Sequence, residues 1–137
     1  MTTTASTTAT SPMTGFSHVQ LLVSDVAASE QWYTNALGLE RMAADLEKGY
    51  VALRHRVSGV VVVLSTRPDP TAAAPAGPLD HLAFAVPDGD ALAAWAAHLA
   101  AAGIAHDGVV LELGKPSLQL RDPDGIAIEL VAPAPRP

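Results

Sequence analysis

The chain has 137 residues, a net charge of −6, no cysteine, and an apolar content of 49%. That length and composition suit one compact domain, or two very small ones sharing a core. They exclude disulfides, thiolate metal ligands and a cysteine nucleophile, and the absence of any Lys/Arg cluster argues against nucleic acid and anionic membranes as partners.

Residues 1–15, opening "MTTTASTTATSP", carry no basic residue and no continuous apolar core, so they read as a disordered Thr/Ser-rich tail rather than a secretory or transit segment. No apolar run nears the ~20 residues of a membrane helix, and with the lack of cysteine a cytoplasmic location is expected. A first strand is expected over His18–Val23. Ser24 or Asp25 then offers a helix cap, the helix runs through Trp32 and Tyr33, and Gly38 closes it. "GYVALRHR" and "GVVVVLST" follow as β-branched strand segments. The Pro/Gly-rich stretch 67–78 reads as a linker.

Beyond the linker the pattern repeats. "HLAFAVPD" at His81 echoes "HVQLLVSD" at His18, and Trp95 follows its Asp at the spacing at which Trp32 follows the first. Asp88 caps the second helix, Leu92, Trp95 and Leu99 form its apolar stripe, and Gly103 ends it. "GVVLEL", "SLQLRD" and "GIAIELV" follow as strands, with the turn "DPDG" between the last two. Each copy is therefore approximately β-α-β-β-β, over 16–66 and 79–132, with 133–137 a tail. The fold class expected is α+β: two such modules forming an open, cup-like mixed sheet with the helices on its outer face.

Strand alternation sorts the side chains. Leu82, Phe84 and Val86 share one face with the apolar set of the first strand; His18, Gln20, His81, Ala83 and Ala85 share the other. In the last strand Glu129 lies opposite Ile128 and Leu130, and repeat alignment makes Val63 its equivalent in the first copy. Two imidazoles and a carboxylate on a roomy face make a metal-ligand set with open positions, suited to Fe, Mn, Ni, Co or Zn. Each residue alone has a blander role, as a strand-edge histidine or a solvated acid. Gln20 and Gln119 are candidates to orient a substrate, with exposed strand amides as the competing role. Arg54, Arg56 and Lys115 are candidates to bind an anionic one, with surface solvation competing.

These segments resemble the vicinal oxygen chelate superfamily, whose members include glyoxalases, extradiol dioxygenases and bleomycin-resistance proteins. The resemblance rests on "HVQLLVSDVAASEQWYTNALGL", "LDHLAFAVPDGDALAAWAAHLAAAGI" and "LQLRDPDGIAIEL". It implies a cup around one divalent ion, with ligands carried over to His18, His81 and Glu129. The family's fourth ligand position, acidic in glyoxalase I, falls on Val63, which cannot ligate, and a set of His, His and Glu is similar instead to extradiol dioxygenases and fosfomycin-resistance transferases; the resemblance leaves both kinds of chemistry open. It implies a small-molecule substrate with adjacent oxygens, glyoxalase-like or dioxygenase-like chemistry with Glu129 also a candidate proton carrier, and a homodimer in which His18 comes from either subunit. The alternative is a metal-free small-molecule or antibiotic-binding protein. A third reading leaves the three residues as relics without chemistry.

Overall fold

A computed structural model describes residues 11–72 and 77–135. The tails expected over 1–15 and 133–137 and the linker over 67–78 lie partly outside these. The elements run β1 (Val19–Val23), α1 (Val26–Leu37), β2 (Glu40–Asp45), β3 (Tyr50–Arg54), β4 (Val61–Thr66), β5 (Leu82–Ala85), α2 (Gly89–Ala101), β6 (Val109–Glu112), β7 (Lys115–Arg121) and β8 (Ala127–Val131). The architecture is α+β, with the β-α-β-β-β order occurring twice.

Each helix starts where its aspartate accepts an otherwise unpaired backbone N–H. Asp25 takes the amide of Ala28, and Asp88 that of Ala91. Gly38 ends α1 in the left-handed region, φ 73°, and returns its own N–H to Thr34.

The strands form two separate four-stranded sheets, in the orders β1-β4-β3-β2 and β5-β8-β7-β6. In each, the first strand pairs in parallel with the last, and the other pairings are antiparallel. One face of each sheet is buried, with Leu21, Val23, Val51, Leu53, Val62 and Leu64 in the first and Leu118, Leu120, Ile128 and Leu130 in the second. Tyr33 and Leu37 of α1 and Leu92 and Leu99 of α2 join them in the core. Each such side chain contributes roughly 1.5–3 kcal/mol on burial. The opposite face carries His18, Gln20 and Leu22, all exposed, and His81, Ala83 and Ala85, also exposed.

β2 is the strand that sequence pattern did not single out. Its residues "ERMAAD" are almost wholly exposed on both faces, so no alternation marks them. It pairs only with β3, as an edge, with a bulge between Arg41 and Ala43.

A buried polar clasp ties the two halves together, built from the "DPDG" turn after β7. The Asp122 carboxylate accepts from the hydroxyl of Tyr33 on α1 at 2.8 Å. Asp124 accepts from the Ser24 amide at 3.1 Å and from the Arg67 guanidinium at 3.0 Å. The Arg67 and Asp124 side chains are only 11% and 5% exposed. Arg67 also binds the carbonyls of Asp69, Pro70 and Ala72, holding the start of the linker against the joint. On the far side, the His98 ring meets the Asn35 carbonyl at 2.9 Å.

Candidate functional site

The open face of the second sheet brings together residues from three strands. Parallel pairing sets Ala83 of β5 beside Glu129 of β8, and antiparallel pairing sets Gln119 of β7 on its other side. His81 immediately precedes β5. The same rung of the first sheet reads Gln20, Val63, Ala52. Val63 thus occupies in the first sheet the position of Glu129 in the second, and that sheet has no carboxylate there.

Glu129 is a buried carboxylate, 7% exposed. Its oxygens receive only long hydrogen bonds, from Ser117 Oγ at 3.3 Å and Gln119 Nε2 at 3.4 Å. His81 Nε2 faces Glu129 Oε1 at 3.8 Å. That is too far for a hydrogen bond. It is close to the roughly 3–3.4 Å that separates two donor atoms each ~2.1 Å from a shared ion. The other ring nitrogen, Nδ1, meets the Asp80 carboxylate at 2.8 Å. A neutral imidazole that donates Nδ1–H to Asp80 keeps its lone pair on Nε2, aimed toward Glu129. The hydrogen bond with Asp80, followed by the charge of Glu129, raises the His81 pKa above its ordinary value.

His18 is exposed, with Nδ1 against Ser17 Oγ at 3.0 Å. It does not join His81 and Glu129: among the described residues, no three His, Asp or Glu side chains gather as a metal-holding group. Gln20 donates to Ser65 Oγ at 3.0 Å on the open face of the first sheet. Gln119 lies beside Glu129 and also donates to Glu112 at 2.7 Å. His55 is engaged by Ser58 within the β3–β4 turn, and His106 Nδ1 accepts from the Gly108 amide. Arg56 is held by Glu40 at 2.9 Å.

Sequence reasoning did not single out Asp80, Ser117 or Glu112. Asp80 had a signal, being the residue before the histidine. Ser117 and Glu112 are brought to the site by the register of β6, β7 and β8, which single-strand alternation does not reveal.

The family model described as Glyoxalase/Bleomycin resistance protein/Dioxygenase superfamily matches residues 15–130. Among solved structures, a glyoxylase/bleomycin resistance protein/dioxygenase domain from Frankia sp. EAN1pec is 28% identical with a TM-score of 0.76, over 88% of this chain and 93% of that one. A lactoylglutathione lyase from Agrobacterium tumefaciens is 22% identical with a TM-score of 0.71, over 89% and 96%. A mutant of the fosfomycin resistance protein FosX from Listeria monocytogenes, complexed with Mn(II) and 1S,2S-dihydroxypropylphosphonic acid, is 16% identical with a TM-score of 0.65, over 88% and 90%. The last two likenesses establish the fold alone. No curated protein matches the chain in sequence.

Proposed function

Since the chain belongs to the Glyoxalase/Bleomycin resistance protein/Dioxygenase superfamily, we propose that it is a divalent-metal-dependent enzyme, glyoxalase-like or dioxygenase-like, acting on a small molecule with adjacent oxygens. The observation that carries this reading is the pairing of His81 Nε2 with the buried Glu129 carboxylate across 3.8 Å. A carboxylate so buried, with only long hydrogen bonds to Ser117 and Gln119, fits a cation better than it fits a structural role.

In this reading His81 and Glu129 hold the ion together with His18 of a second copy, so that the working unit is a homodimer. The open faces of both sheets and the exposed His18 ring, with Nδ1 engaged and Nε2 left for ligation, support that assignment. A bound Fe, Mn, Ni, Co or Zn ion supplies Lewis-acid stabilisation of negative charge on a substrate oxygen. Three protein ligands leave positions for that oxygen, and Val63 adds no fourth. Glu129, on leaving the ion, would be the carboxylate that carries a proton to or from the substrate. Gln20 and Gln119 orient it from the two half-sites. The lack of cysteine accords with work in the reducing cytoplasm.

The second reading is metal-free binding of a small molecule, as in bleomycin-resistance proteins. It is favoured by the gathering of two rather than three ligands within the described residues. Metal analysis of protein purified without chelator separates the two. The metalloenzyme reading expects a stoichiometric divalent ion in the wild type that is absent from a folded His81→Ala variant. A wild type without metal, and a variant of equal stability, would leave the binding reading.

A further inference from the structure

The β6–β7 hairpin sets Glu112 directly across from Lys115, where opposite charges ordinarily pair. Glu112 does not take that partner. It reaches past the Val110–Ser117 rung to Gln119, whose backbone amide bonds the Gly108 carbonyl on the next rung. The Glu112 Oε1 to Gln119 Nε2 distance is 2.7 Å, and the same Nε2 lies 3.4 Å from Glu129 Oε2. An amide set between two carboxylates can present only its NH₂ to them, because a carbonyl oxygen there would be repelled by both. Oε1 of Gln119 is thereby turned away from both acids, and no donor among the described residues meets it. Beside Glu129 the site thus has a wall of acceptors, made of the Gln119 carbonyl and the spare lone pairs of Glu112. Among the described residues, no cation neutralises Glu112 by direct contact: Arg121 donates to the Gly125 carbonyl at 2.9 Å, and Lys115, though across from Glu112, forms no ion pair with it.

We infer that Glu112 and Gln119 are the specificity-determining residues of this site, and that they select ligands bringing an ammonium or hydroxyl donor to the wall while disfavouring ligands with an anionic arm. The inference rests on the metalloenzyme reading for the chelated end of the ligand. Its sign opposes what the ion alone would do, since a site of two histidines, one carboxylate and a divalent cation attracts anions. Glu112 reverses that preference on the side where the substrate extends beyond its chelating oxygens.

Three hydroxamates test it, alike in their adjacent chelating oxygens and in arm length. They are 3-aminopropionohydroxamate, butyrohydroxamate and succinic monohydroxamate, bearing a cationic, a neutral and an anionic arm. Calorimetry on the Mn(II)-loaded protein is expected to find the cationic arm bound about tenfold more tightly than the anionic one, with the neutral arm between. Glu112→Gln keeps the hydrogen bond and removes the charge. It is expected to bring the two charged arms within about twofold of each other while the protein still takes up Mn(II). Tightest binding of the anionic arm in the wild type, or an unaltered ratio in Glu112→Gln, overturns the inference. If the protein takes up no Mn(II), it is the metalloenzyme reading that fails. The arm preference is then read on the metal-free chain by ligand-observed NMR, where equal or absent binding of all three overturns the inference as well.

Discussion

Both histidines carried by the repeat have Nδ1 occupied by the residue just before them, Ser17 for His18 and Asp80 for His81. In each case Nε2 is the atom left to act. Asp80 is mostly in water, with its side chain 94% exposed, so its effect is on ring orientation and basicity rather than on stability. Replacing Asp80 by Ala should weaken divalent metal binding by about tenfold, the lower end of such partner effects, with little change in melting temperature. Calorimetric titration with Zn(II) or Mn(II) measures this, and an unchanged affinity would remove Asp80 from the site. The pairs "SH" and "DH" were legible in the sequence, because the contact spans adjacent residues. Glu112 was not, because nothing local says that it leaves Lys115 for Gln119.

At the scale of elements, the caps and alternation that define β1, α1, β5, α2 and β8 are written in the sequence: an aspartate, an apolar period, a glycine. β2 was not legible, because an edge strand open on both faces has no pattern to show. The β6–β7 turn departs from the usual chemistry in a different way. Leu113 and Gly114 link paired Glu112 and Lys115 with φ of 50° and 76°, a two-residue turn with both central residues left-handed. Leucine is a poor occupant of that conformation, and the side chain of Leu113 is fully exposed, so it gains no packing in return. Leu113→Asn should therefore stabilise the protein by about 0.5–1 kcal/mol. The expected signature is a higher urea midpoint at unchanged slope. A lower midpoint would mean that Leu113 makes a contact worth more than the strain.

The whole molecule is organised by the clasp between its halves, and this was hidden behind a motif already explained. "DPDG" has a sufficient reason as a turn, so neither aspartate called for a partner, yet Asp122 and Asp124 hold Tyr33, Ser24 and Arg67. Burial raises the pKa of Asp122 against the opposing effect of its hydrogen bonds from the Ile126 amide, Tyr33 and the Asp124 amide. Burial and the charge of Asp122 likewise raise the Tyr33 phenol. A carboxyl raised on folding adds stability that is complete below the unfolded value, about 4, and is lost as pH rises through the folded value. Asp122→Asn, which can still accept from both amides, should lose this dependence. Chemical unfolding from pH 7 down to about 4 should show the wild type gaining stability relative to Asp122→Asn. A constant difference between the two would mean that Asp122 has the same proton affinity folded and unfolded.

The pairing of first strand with last has a consequence for synthesis. β1 waits for β4, and β5 for β8, before either sheet can close. As the chain leaves the ribosome, the first half can complete its sheet while the second is still being made. Its joint with the second half must wait, because Asp122 and Asp124 emerge just ahead of β8. Tyr33 and Arg67 therefore spend an interval without their carboxylates, and the halves dock only after the turn ahead of β8 has been made.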